Sequence, residues 1–265
     1  MIGANNGKKK NVKRLRILPY KPGSKSANII ARALNGLRVR FNGTFKPRLR
    51  HLVLNWGKTE TPRWWTGLEG LNHPEKVRQS SNKRIALQIL KDAGVSIPEF
   101  TVDHEQAKKW FEAGKVVVGR KVLNGHGGIG CLIYDKKHGQ NPGFTCPLYT
   151  LHLRHKREFR IHVFKARIID MVEKRKRRGF EDRNSWIRNL HNGYVFARDN
   201  LQIPECVKQE ALRATACLGL DFGAVDVAYR EKEGKAYVFE VNTAPGVEGT
   251  TIKSYINAIS EELRK

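Results

Sequence analysis

Near the C-terminus the run Gly223-Ala224-Val225-Asp226-Val227-Ala228-Tyr229-Arg230 is followed by Tyr237-Val238-Phe239-Glu240-Val241-Asn242. Asp226, Glu240 and Asn242 carry side-chain oxygens at spacings that a β-hairpin would bring together. A three-residue loop, Lys232-Glu233-Gly234, with Gly234 in the left-handed region, would close that hairpin. In that register Asp226 lies opposite Glu240, and directly opposed residues share a face. Asn242, two residues further on, shares it as well. Two such carboxylates repel each other unless a cation lies between them. Hard oxygen donors suit Mg²⁺, with Mn²⁺ as a substitute, and leave positions for phosphate oxygens and water. The neighbours Val225, Val227, Phe239 and Val241 are apolar, as expected if the other face is core. Thr243-Ala244-Pro245-Gly246 is a tight turn that would open a pocket. The plainer alternative is a hairpin with solvated acids.

Other residues suit an anion. Gly125-His126-Gly127-Gly128-Ile129-Gly130 lies between two strand-like runs. Glycines such as Gly127 and Gly128 let backbone N–H groups approach phosphates closely. The order strand–loop–strand excludes a Walker loop or a Rossmann fingerprint, which need a following helix. Arg120 and Lys121 precede this loop, and one can face phosphates while the other faces away. In Glu158-Phe159-Arg160-Ile161-His162 the polar residues alternate with core-facing ones. Arg160 could hold a phosphate through both arms of its guanidinium. Arg188, Asn189, His191 and Asn192 precede Gly193, where they could position a transferring phosphoryl group. Each group also has a bland account, as hairpin loop, solvated sheet face or ordinary loop.

The elements that must hold these residues are legible in outline. Residues 1–13 form a basic arm. Arg14 to Tyr20 reads as a strand, and Ser26 can cap a helix to Asn35. Leu37 to Phe41 alternates as a half-buried strand does, and His51 to Leu54 is a further apolar run. Residues 57–80 are turn-rich. Ser81 or Asn82 caps a helix through Ala93, ended by Gly94 and Pro98. Strands follow at 115–118, 129–134 and 147–153. Arg157 to Phe164 and Arg167 to Glu173 make a hairpin around Lys165-Ala166. Residues 174–193 read as a basic loop, and Pro204 opens a helix to Leu218. Ser254 to Leu263 closes the chain as a helix. This is an α/β (α+β) pattern. It divides into an N-terminal α/β domain at 14–78 and a larger domain at 79–265, itself split near 146.

The chain has 265 residues and a formal net charge of +25, from Lys+Arg 50 against Asp+Glu 25. Such an excess favours polyanionic partners, whether nucleic acid, acidic protein tails or phosphorylated substrates, and its bland account is a protein kept soluble by charge. No apolar run approaches the roughly 20 residues needed to span a membrane. No secretory signal is visible, which places the protein in the cytoplasm by default. Cys131, Cys146, Cys206 and Cys217 form no C-x-x-C pair, so reduced and mostly buried thiols are expected.

The order VVVGRKVLNGHGGIG, REFRIHV, RNLHNGYVF, GAVDVAYR and FEVNTAPG, after the helix at Lys83, resembles the ATP-grasp superfamily. The similar branch holds the ribosomal-protein glutamate ligase, glutathione synthetases and D-alanine–D-alanine ligase. The glycine loop with its His126 resembles viral forms. The likeness covers about residues 80–265, and it implies an ATP-grasp domain behind the small N-terminal one. It implies that Lys83 and either Arg120 or Lys121 bind ATP phosphates. Gly127, Gly128 and Thr150 would belong to the nucleotide site, and Arg160 would be the arginine after the adenine hinge. Arg188 and Asn189 would contact the reactive phosphate, and Asp226, Glu240 and Asn242 would hold Mg²⁺. Two features depart from the pattern. Gly119-Arg120-Lys121 replaces the usual Val-Lys-Pro, and the hinge Pro147-Leu148-Tyr149-Thr150-Leu151-His152 lacks the acidic pair for adenine and ribose. The activity implied is ATP-dependent joining of a carboxylate to an amine through an acylphosphate. A phosphotransferase, or a non-catalytic nucleic-acid- or protein-binding module, remains an alternative.

Overall fold

Three β-sheets and the helices packed on them make up the computed structural model, which describes residues 12–68, 70–125, 128–138, 143–180, 186, 188–189 and 191–265. His126 and Gly127 of the glycine loop, and most of the basic arm, lie outside the described residues.

The first sheet is parallel, with strands β1 (Arg14–Pro19), β2 (Leu37–Arg38) and β3 (His51–Trp56) in the order β2-β1-β3. Helix α1 (Lys25–Ala33) supplies the crossover that parallel neighbours require. Its N-cap is Ser24, whose side chain accepts from the Ala27 N–H. Ser26, the expected cap, instead accepts from the Val247 N–H. The strand expected over 37–41 contains only Leu37 and Arg38, both exposed at the sheet edge. Val39 turns inward to join Leu18, Val53 and Trp65.

The second sheet is antiparallel, in the order β4-β7-β5-β6, built from β4 (Phe100–Thr101), β5 (Val117–Arg120), β6 (Cys131–Tyr134) and β7 (Tyr149–Leu151). Helix α4 (His104–Glu112) packs on it, while α2 (Pro74–Ser81) and α3 (Lys83–Asp92), which precede it in the chain, put Val77, Ala86 and Leu90 into the core beneath the third, five-stranded sheet. Helix α2 falls where the sequence reads as turns. Its residues PEKVRQSS offer one large apolar side chain, Val77, so no helical stripe shows. Asn82 is the cap of α3, accepting from the Arg84 and Ile85 N–H groups. Strand β7 pairs with β4 and β5, so the extended run after residue 146 joins the sheet that precedes it.

The third sheet is antiparallel, in the order β10-β9-β8-β11-β12. Its strands are β8 (Arg157–Phe164), β9 (Arg167–Lys176), β10 (Tyr194–Ala197), β11 (Phe222–Arg230) and β12 (Lys235–Asn242), with helices α5 (Glu205–Cys217) and α6 (Thr250–Leu263). Lys165 and Ala166 both have positive φ, 48° and 57°, as a two-residue hairpin turn demands. Strand β9 runs on to Lys176 instead of ending at Glu173. The β11–β12 turn has four residues, because Arg230 pairs with Lys235. That turn alone would set Asp226 opposite Phe239. A bulge between Val238 and Glu240 restores Asp226 to its place opposite Glu240. The expected pairing is therefore present, through a different turn.

One face of this sheet is apolar. Phe159, Ile161, Val163, Val225, Val227 and Val238 pack against Val207, Ala211 and Ala214 of α5. Phe164 and Phe222 reach past the sheet end to Trp56 and to Tyr255 of α6, and Trp56 stacks on Phe222 at 5.2 Å. The parallel sheet and the five-stranded sheet thus share a core. Cys146 is buried, while Cys131, Cys206 and Cys217 are half-buried, and all four are free. Among the described residues no helix is long and apolar enough to cross a membrane.

Asn72 clasps the two sheets. It is fully buried with φ 59°, its Oδ1 accepts from the Asp221 and Phe222 N–H groups, and its Nδ2 donates to Phe222 O at 2.9 Å. Replacing Asn72 with alanine leaves these buried peptide groups unpaired. The variant should lose about 3 kcal/mol of stability by urea denaturation. His162 lies against the Tyr255 hydroxyl at 3.2 Å, and burial, with Arg160 beside it, pushes its pKa down to about 4. Unfolded histidine titrates near 6.5. Between those values the folded state holds fewer protons, so stability is full above about pH 6.5 and falls on acidification toward about 4. Thermal unfolding across that window should show the decline, and His162→Gln should reduce it, leaving the share of His152, whose pKa burial also lowers to about 4.

Candidate active site

The polar face of the five-stranded sheet floors a cavity of about 610 Å³. The other two sheets contribute walls. Tyr20 and Gly57 come from beyond β1 and β3, and Val118, Arg120, Ile133 and Thr150 from the second sheet. Gly57 has φ 84°, and a Cβ there would stand 2.5 Å from the Ala244 Cβ. Only glycine lets the parallel sheet approach the turn after β12 this closely.

The floor is a lattice of charges. Asp226 is 3% exposed and lies directly across from Arg160. Arg160 donates from Nε to Oδ1 at 2.7 Å and from an η nitrogen to Oδ2 at 2.8 Å. Lys174 Nζ donates to the same Oδ2 at 2.8 Å and to Glu158 Oε1 at 2.5 Å. Glu158 Oε2 lies 3.1 Å from His155 Nε2. Along β12, Glu240 Oε2 pairs with Lys83 Nζ at 3.1 Å, and its Oε1 accepts from Asn242 Nδ2 at 3.2 Å. Lys83 Nζ also donates to Gly125 O at 2.8 Å, which ties the glycine loop to the carboxylate pair.

Burial alone would raise the Asp226 carboxyl, but Arg160 and Lys174 outweigh it and hold it well below the usual carboxylate range. Glu240 is lowered in the same way, burial being outweighed by Lys83 and Lys174 against the repulsion of Asp226. Lys174 is raised, since Asp226 and Glu158 more than offset its burial. Both carboxylates are therefore ionised, as metal ligation requires.

The structure gathers most of the residues singled out from sequence. Lys83, Arg120, Gly128, Thr150, Arg160, Arg188, Asn189, Asp226, Glu240 and Asn242 all line the cavity. Lys121 does not. It is exposed, and its N–H bonds Gly130 O, so of the two adjacent cations Arg120 is the one facing inward. Gly127 lies outside the described residues. Arg160 departs from expectation, since both arms of its fork hold Asp226, which it faces across the ladder. Phe239 also differs. The bulge frees it from the core face, and its ring meets His155 at 5.2 Å.

Lys174 is the residue that sequence reasoning missed. It sits in the charged run Glu173-Lys174-Arg175-Lys176-Arg177-Arg178, which reads as a loop. A regular hairpin from Lys165-Ala166 would also set Glu173 across from Glu158. The bulge between His162 and Val163 shifts the register, so Phe159 faces Glu173 and Lys174 reaches the polar face.

Three acids line the cavity, Glu158, Asp226 and Glu240, against five cations, Lys83, Arg120, Arg160, Lys174 and Arg188. Among the described residues Arg120 Nε and Arg188 Nε are buried without a hydrogen-bond acceptor, although Arg188 Nε stands 3.7 Å from Glu158. Buried donors left unpaired are costly, so these two nitrogens suit an anionic oxygen ligand. The apolar part of the lining, Leu87, Val118, Ile133, Leu151 and Leu153, suits a planar base. Asp226, Glu240 and Asn242 form an all-oxygen set, and among the described residues no trio of His, Cys, Asp or Glu offers a competing metal site. Oxygen donors with further positions left to phosphate and water fit Mg²⁺.

Lys174→Met would leave Glu158 and Asp226 buried with one cation fewer between them. The variant should be destabilised by about 3–5 kcal/mol in chemical denaturation.

Residues 149–264 match the RimK-like ATP-grasp domain. A probable alpha-L-glutamate ligase of Histophilus somni (strain 129Pt) is 26% identical over 246 residues, covering 87% of this chain and 76% of the relative. Among solved structures, the ATP-grasp ligase PsnB complexed with minimal precursor, Mg and ADP superposes with a TM-score of 0.66 at 14% identity, covering 95% of this chain and 97% of that one. D-alanyl-alanine synthetase A from Vibrio cholerae gives 0.66 at 14% identity, covering 95% and 99%. The charge lattice thus lies on a known scaffold: the chain has the ATP-grasp fold, and its residues 149–264 match the RimK-like ATP-grasp domain model.

Proposed function

We propose that the protein is an ATP-dependent ligase that joins a carboxylate to an amine. The observation that carries this reading is the pair of buried, acceptor-less guanidinium nitrogens, Arg120 Nε and Arg188 Nε, in the same cavity as the ionised Asp226–Glu240 pair. The H. somni relative is named as a glutamate ligase, and the PsnB neighbour was solved with Mg and ADP.

In this reading the base of ATP lies against Leu87, Val118 and Ile133, with Thr150 beside it. Lys83 and Arg120 bind the phosphates, and Gly128 lets the loop close on them. Asp226, Glu240 and Asn242 hold Mg²⁺, for which Mn²⁺ could substitute. When bound, the metal supplies charge neutralisation and orientation at the phosphates. Arg188 and Asn189 face the transferring group, and Arg188 is kept in place by its bonds to His155 O and Lys156 O. Arg160 acts from behind by fixing Asp226. A substrate carboxylate oxygen attacks the terminal phosphorus, the bond to the bridging oxygen breaks, and ADP leaves. The amine nitrogen then attacks the acylphosphate carbonyl, phosphate departs, and the nitrogen loses a proton. Fixed cations around the reacting oxygens stabilise the charge developing in both steps.

The test is ADP release in the presence of Mg-ATP. A ligase needs both a carboxylate and an amine for turnover. A phosphotransferase would leave a stable phosphorylated product without amine, and a binding module would release no ADP. Glu240→Gln should lower turnover by about 100-fold with the fold intact; undiminished turnover in that variant would remove Glu240 from the site.

A further inference from the structure

A second cavity, of about 820 Å³, lies on the parallel sheet, away from the charge lattice. It rests on the face opposite α1, because Arg16 and His51 point to the side of Leu18 and Val53. Arg16 comes from β1, Arg38 from β2, and Arg40, Lys46, Arg48 and Arg50 from the connection that returns to β3. No acidic side chain lines it. Among the described residues none of these six cations makes an ion pair with an acid. Elsewhere the charges are interlaced, as in the Arg157–Glu173–Arg175–Asp199 chain.

Like charges gathered this closely repel one another, and desolvation adds to the cost at half-buried Arg16. Only an anion relieves both. Five of the six cations are arginines, whose planar forks match phosphate oxygens and are weakly hydrated. They converge from three separate segments, so the positive charge spreads over a surface and not along one line. The walls also offer Asn42 and Thr44, which can donate hydrogen bonds. A phosphodiester backbone presents acceptors alone and matches such a surface. A polypeptide also brings N–H groups, for which this concavity supplies few acceptors. Base stacking is not part of the match, since the Phe45 ring is packed edge-on by Trp64 at 5.0 Å and covered by His51 at 5.4 Å.

We propose that this concavity binds the phosphate backbone of a nucleic acid. The site is separate from the nucleotide cavity, and its test needs no ATP turnover, so the ligase reading can fail without it.

The experiment is fluorescence anisotropy with a labelled RNA of about 20 nucleotides, titrated with the full-length protein at several salt concentrations. If about six phosphates are neutralised, log K should fall with log salt at a slope of about −4. The triple variant Arg40→Gln/Arg48→Gln/Arg50→Gln changes exposed side chains that make no hydrogen bond among the described residues. It should reduce the slope by about 2 and the affinity at 0.1 M salt by about 100-fold. Lys108→Gln/Lys109→Gln/Lys115→Gln removes the same charge from an exposed region at α4 and should change the affinity by no more than about threefold. Equal losses in the two variants would show that net charge, and not the concavity, binds RNA. Competition by polyglutamate as effective as by unlabelled RNA would assign the concavity to an acidic polypeptide and overturn the proposal.

Discussion

Everything in the charge-lined cavity depends on keeping the Asp226 carboxylate charged while it is almost sealed from water. An isolated ion at that depth would neutralise or unfold its surroundings. Here the cost is offset by Arg160 and Lys174, which satisfy both carboxylate oxygens. Those partners sit on β8 and β9, so one ion cluster constrains the register of three adjacent strands. The two bulges make sense in this light. Each slips one strand by a residue, and together they bring Lys174 and Glu240 onto the face that already carries Arg160 and Asp226.

The same cluster explains how the cavity can favour an anion without collapsing on itself. Asp226, Glu158 and Glu240 absorb Arg160, Lys174 and Lys83, which leaves Arg120 and Arg188 in excess. The excess cations belong to parts of the chain outside the ion-paired strands, at the end of β5 and in the segment before β10. Arg120 thus stands apart from the charge that holds the floor together, while Arg188 touches that floor at Glu158. The apolar face beneath, packed on α5, keeps the floor from flexing.

The basic concavity on the parallel sheet follows the opposite rule, since its cations have no acidic partners among the described residues. The strong positive balance of the chain is therefore uneven: largely paired around the cavity of the five-stranded sheet, and without acidic partners among the described residues in the concavity of the N-terminal sheet. That contrast gives the composition a location.

Much of this was legible in the chain. Alternation in Glu158–His162 and around Asp226 shows which side chains face away from the core, because a strand repeats every two residues. Caps and stops such as Asn82, Gly94 and Gly219 mark helix ends through local hydrogen bonding, which needs no distant partner. Motif order points to the ATP-grasp fold for a similar reason, since the cavity-lining residues sit in short contiguous runs. What only the tertiary structure decided is register and pairing. Whether Lys174 lies in a loop or in the ion cluster depends on a bulge at Ile169, earlier in its own strand, and on the pairing with β8. Whether Arg160 faces a ligand or Asp226 depends on which strand β11 chooses as neighbour, and whether Arg120 or Lys121 points inward depends on how β5 pairs with β6 and β7. These are long-range choices, set by the free energy of burying charges together, and no local pattern of residues encodes them.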